Sequence, residues 1–280
     1  MKSFFRFIFS HSIFIAFCAV AMCLETYLIF RKLPSFPILF TVFLSTVGSY
    51  NFYWLVSKRS FSKNKKDFLK SKDNLAYLIL LAISVTGLLI LYKSLIELWL
   101  PISITALLTL LYCLPLIGSK SLVFLKGNGF IKTFLLAFTW AIVTVAFPLW
   151  QEQVIGTKFI FLLLNRFVFV LLLCILFDLR DAKLDKQLSI YSIATDYSMA
   201  YVKRLWWFVF TIYVATVILL FFYTGFNAYM VSHALTSLLL ATIYFLAFSK
   251  KRGYYFYYFL VDGLMIASFL LSFTVYKIVT

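Results

Sequence analysis

The stretch Phe177-Asp178-Leu179-Arg180-Asp181-Ala182-Lys183-Leu184-Asp185-Lys186 holds three of the ten acidic residues of the chain and directly follows an apolar run. Its aspartates are spaced i, i+3 and i+7. At about 100° per residue, a helix places them along one narrow stripe. Because neighbouring like charges on a helix repel each other, such a stripe indicates a bound cation. Ligands that are all oxygens favour Mg²⁺ over zinc or copper.

The same stretch also has an ordinary explanation. Arg180, Lys183 and Lys186 alternate with the aspartates. A solvated, mixed-charge helix end that follows a membrane span has this composition too. The motif by itself leaves both interpretations open, so the rest of the chain has to decide between them.

The composition places the chain in a membrane. Of its 280 residues, 64% are hydrophobic and only 13% are charged, a balance that excludes an ordinary soluble domain. The formal net charge of +16 comes from loops between apolar runs, which indicates membrane topology and does not imply binding to nucleic acid. All four cysteines lie in apolar segments without a C-x-x-C spacing, which predicts small core residues.

Nine apolar segments are long enough, or nearly so, to cross a bilayer as helices. The pattern therefore predicts an all-α membrane protein with about nine transmembrane helices, in which residues 1–280 form a single transmembrane helical domain. The predicted spans are 4–30, 36–57, 75–92, 95–117, 130–150, 158–177, 205–225, 229–249 and 255–277.

The basic residues set the predicted orientation. With a cytoplasmic N-terminus, 20 of the 26 lysines and arginines fall on the cytoplasmic side, and the other six are Arg31, Lys32, Lys93, Lys158, Arg166 and Lys277. This asymmetry follows the positive-inside rule. It predicts a multi-pass protein of the plasma (inner) membrane of a bacterium, with the N-terminus and the two long connections, 58–74 and 178–204, in the cytoplasm.

Three of the charged residues that fall inside the predicted spans stand out. Asp262 is about two turns inside the ninth span. Because an intramembrane carboxylate is costly, we expect it to face the bundle interior and to find a polar contact there. Glu25 and Arg166 lie nearer the opposite surface, and we expect them to pair with each other or to reach the interface.

The order of these features resembles the UbiA superfamily of intramembrane prenyltransferases. Members have about nine helices, with aspartate-rich motifs on cytoplasmic loops after the second and sixth spans. Asp178, Asp181 and Asp185 match the three acidic positions of the second motif. The family pattern between the two motifs is matched by Tyr112-Cys113-Leu114-Pro115, Lys120, Gly127, Lys132, Ala137, Trp140 and Pro148.

The first aspartate-rich motif departs from the family pattern. Aligned on Asn51, its acidic positions hold Phe52, Leu55 and Arg59, none of which binds a metal. The resemblance therefore implies Mg²⁺ at the second motif only, held by Asp178, Asp181 and Asp185. It implies that hydrogen-bonding and basic groups replace the missing half of the site, and the candidate substrate-binding residues are Asn51, Lys58, Arg59, Tyr112 and Lys120.

The resemblance implies transfer of a polyprenyl group from its diphosphate to a lipophilic acceptor within the lipid bilayer. Mg²⁺ and basic side chains would stabilise the departing diphosphate, while aromatic side chains would face the allylic cation. The aromatic residues available for that role are Tyr50, Tyr53, Trp54, Tyr112 and Trp140.

Two other functions remain open from the sequence. The incomplete first motif is also expected of a non-catalytic UbiA-like membrane protein that binds a prenyl lipid or a partner protein. A small-molecule transporter is a weaker alternative, because few spans carry buried charges or a Gly or Pro break in matched positions, which a midplane substrate site tends to require.

Overall fold

All regular secondary structure in the described part of this computed structural model is helical, and the described residues are 2–61, 71–113, 129–187, 191–224, 227–250 and 252–279. The helices are α1 Lys2–Ser10, α2 Ile13–Ile29, α3 Phe36–Phe61, α4 Lys72–Ile90, α5 Tyr92–Glu97, α6 Trp99–Cys113, α7 Gly129–Ala141, α8 Phe147–Trp150, α9 Thr157–Gln187, α10 Ile193–Asp196, α11 Met199–Thr224, α12 Asn227–Ser249 and α13 Gly263–Val279. Wider π-helical segments, Ile142–Ala146 and Phe256–Val261, join α7 to α8 and precede α13.

The helices agree with the predicted membrane bundle. Within the described residues, seven helical segments are long and apolar enough to cross a membrane. Two shorter apolar helices, α2 with 17 residues and α6 with 15, lie in the first and fourth predicted spans. The prediction of an all-α membrane protein with about nine spans is therefore confirmed.

The first and fourth predicted spans are both interrupted, which the hydropathy pattern did not reveal. Ser12 adopts a left-handed backbone conformation with φ of 65°, and this ends α1 and starts α2 in a new direction. In the fourth span, α6 begins at Trp99 and carries Pro101 in its first turn. Proline is tolerated in a first helical turn but not in a helix interior, so the continuous helix predicted over 95–117 cannot form.

Helix α2 supplies hydrogen bonds to both π-helical segments. The Thr26 hydroxyl donates to the carbonyl of Thr144 at 2.8 Å, and the Cys23 thiol donates to the carbonyl of Val143 at 3.7 Å. At the other segment, the Cys18 thiol donates to the carbonyl of Asp262 at 3.4 Å. In a π-helical turn, some backbone carbonyls lose their usual hydrogen-bond donor within the helix. Inside a membrane, small polar side chains on a neighbouring helix can donate hydrogen bonds to these carbonyls.

A buried ion pair joins α2 to α9. Arg166 Nη1 lies 2.6 Å from Glu25 Oε2, and both side chains are at most 1% exposed. The hydroxyls of Ser268 and Ser272, on α13, donate to the other carboxylate oxygen at 2.8 Å. His233, on α12, lies 3.3 Å from that same oxygen. The expected pairing of Glu25 with Arg166 is confirmed, and four helices meet at it.

Several helix ends meet around the C-terminal part of α9, which we call the aspartate end of the bundle. The first turn of α7 contacts α10 and α9 there, and Tyr53 on α3 packs at a tilt against Tyr112 on α6 with ring centroids 5.4 Å apart. The ion pair between Lys32 and Glu152 marks the opposite end. The fold thus brings the start of α7 and the ends of α3, α6 and α9 together.

Candidate functional site

The aspartate stripe lies on a helix, as its spacing predicts. Helix α9 continues for ten residues beyond the predicted end of the sixth span at Phe177 and ends at Gln187. Asp178, one residue past that point, is held from two sides. Thr133 on α7 donates its hydroxyl to Asp178 Oδ2 at 2.9 Å, and the backbone N–H of Ile193 donates to the same oxygen at 3.2 Å.

A close backbone contact positions α10 for this interaction. The backbone N–H of Gly129, at the start of α7, donates to Asp196 Oδ2 at 2.9 Å. A Cβ atom at Gly129 would lie 2.2 Å from the backbone of Ser192, so only glycine fits here. The contact holds Ser192 and Ile193 against α7, and Ile193 can therefore donate to Asp178.

The other two aspartates have different surroundings. Asp185 is buried, it interacts with the Ser192 hydroxyl, and its Oδ2 has no hydrogen-bond partner among the described residues. Burial raises the pKa of the Asp185 carboxyl, and the positive charge of Lys132 opposes this effect. Asp181 is instead paired with Arg180, whose Nε and Nη2 donate to its two oxygens at 2.7 and 2.6 Å.

Lys132 is a cation that interacts with all three aspartates. It lies in the first turn of α7, beside Thr133, and its charge interacts with Asp178, Asp181 and Asp185. Its ammonium group also lies 5.9 Å from the ring centroid of Tyr112. An ammonium group held between carboxylates and an aromatic face can act as a point charge for a phosphate group.

A group of aromatic side chains lies near Lys132, which interacts with Tyr53 and Tyr112. Trp140 donates its indole N–H to the hydroxyl of Tyr50 at 3.1 Å, and Tyr53 packs against both Trp54 and Tyr112. These are the five aromatic residues that the sequence offered for stabilising a cation. The structure brings them together on the neighbouring helices α3, α6 and α7.

The remaining predicted substrate-binding residues have different outcomes. Asn51 is fully buried and donates to the carbonyls of His11 and Val47 at 3.1 and 2.7 Å, so it joins α3 to the break between α1 and α2. The side chains of Lys58 and Arg59, and the whole of Lys120, lie outside the described residues.

The oxygen ligands at this end are compatible with Mg²⁺ in one specific arrangement. Among the described residues, no three His, Cys, Asp or Glu side chains lie close enough to form a complete metal site. However, Asp185 Oδ2 is buried without a partner, and Asp178 accepts hydrogen bonds from described residues on one oxygen only. Mg²⁺ usually binds one or two carboxylates together with phosphate oxygens, so Asp178 and Asp185 fit a substrate-completed site.

Three residues central to this geometry, Gly129, Lys132 and Thr133, were not among the predicted site residues. Gly129 and Thr133 are ordinary in sequence, and their roles depend on the approach of α10, which hydropathy does not predict. Lys132 was visible as a basic residue in the family-like segment. Lys132 lies next to Thr133 at the start of an apolar helix, and this position is the signal that could have identified it.

Comparisons with known proteins bear on the fold. No family model and no curated protein matches this sequence. The chain is similar to a solved structure of digeranylgeranylglyceryl phosphate synthase. The TM-score is 0.55 at 15% sequence identity, over 98% of this chain and 100% of that chain. This chain is therefore a helical integral membrane protein with the fold of that synthase.

Proposed function

We propose that this protein transfers a polyprenyl group from its diphosphate to a lipophilic acceptor in the membrane. The observation that carries the proposal is the arrangement of Lys132 among Asp178, Asp181 and Asp185, next to a group of aromatic side chains. A diphosphate needs cationic partners, and an apolar chain needs access to the bilayer. Both are available at the aspartate end of this fold.

The diphosphate would bind at Lys132. As the carbon–oxygen bond of the prenyl diphosphate breaks, negative charge grows on the departing diphosphate, and a fixed ammonium group stabilises that charge. Mg²⁺, when bound through Asp178 and Asp185, would supply further positive charge to the leaving group. Asp181 would join this set only by giving up its pair with Arg180.

The prenyl chain would extend from Lys132 into the bundle. Tyr50, Tyr53, Tyr112 and Trp140 would present aromatic faces to the allylic carbon, where positive charge develops. Aromatic and aliphatic surroundings also exclude water, which would otherwise capture the cation. The neighbour of known structure, digeranylgeranylglyceryl phosphate synthase, supports a prenyl diphosphate and a lipid-like acceptor as the substrate classes.

A binding experiment tests the diphosphate site. Purified protein in detergent is titrated with geranylgeranyl thiodiphosphate, a poorly reactive analogue, with and without Mg²⁺. We expect saturable binding that Mg²⁺ strengthens. Lys132→Met should weaken binding by about tenfold or more, because a charged hydrogen bond contributes about 1.5–3 kcal/mol.

The matched control is Lys203→Met. Lys203 is exposed near the start of α11, at the same end of the bundle, and lies 5.5 Å from the ring centroid of Phe248. Its removal takes away the same charge without touching the proposed site, so affinity should change by less than about twofold. Equal losses from both variants would mean that general surface charge, and not a site at Lys132, attracts the analogue.

The non-catalytic alternative is favoured by one observation. The positions of the first family motif hold Phe52, Leu55 and Arg59, so no carboxylate faces the diphosphate from α3. A protein that only binds a prenyl lipid would bind the analogue without Mg²⁺ and would release no diphosphate from geranylgeranyl diphosphate. Those two results together would replace the transferase proposal with this one.

A further inference from the structure

A second carboxylate lies deeper in the bundle and is not explained by the diphosphate site. Asp262 follows the π-helical segment Phe256–Val261 and is only 5% exposed. Its backbone is fixed, because its N–H donates to the Tyr257 carbonyl and its carbonyl accepts from Cys18. Within the part of the chain that the structure describes, neither carboxylate oxygen accepts a hydrogen bond. A buried carboxylate without donors is costly and marks a functional position.

The guanidinium group of Arg180 also has one nitrogen without a hydrogen-bond partner among the described residues. Two of its nitrogens hold Asp181, whereas Nη1 is buried and has no hydrogen-bond partner among the described residues. The guanidinium carbon lies 4.7 Å from the Phe177 ring centroid and 4.6 Å from that of Tyr258. These rings, together with a polar interaction between the Tyr258 hydroxyl and the guanidinium group, fix the position of Arg180.

The two groups belong to one region. The charges of Arg180 and Asp262 act on each other, and Phe177 contacts Tyr257 and Tyr258 in the helical segment that directly precedes Asp262. This region also adjoins the diphosphate site. Cys174, one helical turn before Asp178, lies within electrostatic range of Asp178, Lys132 and Asp262. On α3, Tyr50 lies within electrostatic range of Asp262 and contacts Trp140.

We propose that Asp262 and Arg180 bind the hydroxyl group of the acceptor and that Asp262 accepts its proton during transfer. This inference rests on the proposed function and identifies the acceptor class as a lipophilic alcohol or phenol. A hydroxyl group both donates and accepts a hydrogen bond. It can donate to the Asp262 carboxylate while it accepts from Arg180 Nη1, which satisfies both unpartnered groups with one oxygen.

The step is balanced without any further reactant. The carbon–oxygen bond between the prenyl carbon and the diphosphate breaks, and its electron pair leaves with the diphosphate. The acceptor oxygen forms a new carbon–oxygen bond to the prenyl carbon, and the hydroxyl proton moves to the Asp262 carboxylate. The products are a prenyl ether, diphosphate and a protonated Asp262, which then releases its proton. General-base assistance of this kind contributes about 10²–10⁴-fold to a rate.

The test separates binding of the donor from transfer to the acceptor. Protein is reconstituted into vesicles made from a bacterial lipid extract, which supplies lipid hydroxyl groups, and is given tritiated geranylgeranyl diphosphate. Binding of geranylgeranyl thiodiphosphate is measured in parallel. For Asp262→Asn we expect an unchanged dissociation constant, within about twofold, and transfer of label to lipid reduced by about 10²-fold or more.

Two further variants distinguish chemistry from a structural effect. Asp262→Glu restores a carboxylate and should recover part of the transfer rate, whereas a merely structural role would not distinguish Glu from Asn in this way. Glu152→Gln removes one exposed carboxylate at the opposite end and should leave transfer unchanged. A melting temperature for each variant shows whether the protein is folded.

The outcomes distinguish this inference from the function on which it rests. Wild-type protein that binds no thiodiphosphate would overturn the proposed function, and this inference with it. Wild-type binding and transfer, with Asp262→Asn transferring label at the normal rate, would overturn this inference alone. Loss of thiodiphosphate binding in folded Asp262→Asn would also overturn it, because Asp262 would then belong to the donor site.

Discussion

The substitution Glu25→Gln examines the buried ion pair inside the bundle. Glutamine has nearly the same size as glutamate and can still accept hydrogen bonds from Ser268 and Ser272. What it removes is the negative charge opposite Arg166. The guanidinium group then keeps only the Met22 carbonyl and the Thr26 hydroxyl, both at 3.5 Å from Nη2.

The expected loss follows from these contacts. A hydrogen bond between charged groups contributes about 1.5–3 kcal/mol, and leaving a buried charged group unsatisfied costs at least about 1–3 kcal/mol more. Together these give about 2.5–6 kcal/mol, a range that contains the roughly 3–5 kcal/mol usually lost when a buried ion pair is broken from one side. Adding Arg166→Met removes the uncompensated charge, so the double variant should recover most of the lost stability.

The free energy of unfolding is measured from the midpoint of unfolding in mixed dodecylmaltoside and SDS micelles. Glu152→Gln is the matched control, because it breaks the Lys32 pair, whose side chains are 39% and 37% exposed. That exposed pair should contribute about 0–1 kcal/mol. The reasoning is wrong if Glu25→Gln costs no more than Glu152→Gln, or if the double variant is less stable than Glu25→Gln alone.

Three further predictions concern the aspartate end. Gly129→Ala should lower the unfolding midpoint and weaken thiodiphosphate binding, because the added Cβ would lie 2.2 Å from the Ser192 backbone. The control Gly156→Ala, whose Cβ has no neighbour within 4 Å, should change neither the midpoint nor the binding. Asp178→Asn should abolish the Mg²⁺ dependence of thiodiphosphate binding while the protein stays folded, and retained dependence would exclude Asp178 as a ligand. Trp140→Phe should remove the hydrogen bond to the neighbouring tyrosine and slow transfer more than it weakens binding, and a pure binding defect would contradict this role.

Much of the fold could be predicted because hydropathy in a membrane chain is a direct structural signal. Runs of about 20 apolar residues specify helices whatever their partners. The breaks could not be predicted in the same way. Ser12 carries no special backbone signal, and its left-handed conformation depends on how α1 packs beside α2. The apolar run around Pro101 is long enough for a membrane span, so hydropathy alone predicts a continuous helix there.

The candidate site was partly visible for a different reason. The spacing of Asp178 and Asp185 is a local property of one helix, so it survives folding unchanged. The partner of Asp181 is also local, since Arg180 is its neighbour in sequence. In contrast, the contact of Gly129 with Ser192 joins residues more than 60 positions apart, and only the three-dimensional arrangement of α7 and α10 reveals it.

The most direct test of the central claim is transfer of the prenyl group itself. Wild-type protein in lipid-extract vesicles is incubated with tritiated geranylgeranyl diphosphate and Mg²⁺, and both labelled lipid and free diphosphate are measured. We predict that the two products appear in equal amounts, and that Asp178→Asn lowers their rate by about 10²-fold or more. Saturable binding of the donor without release of diphosphate or labelling of any lipid would contradict the claim.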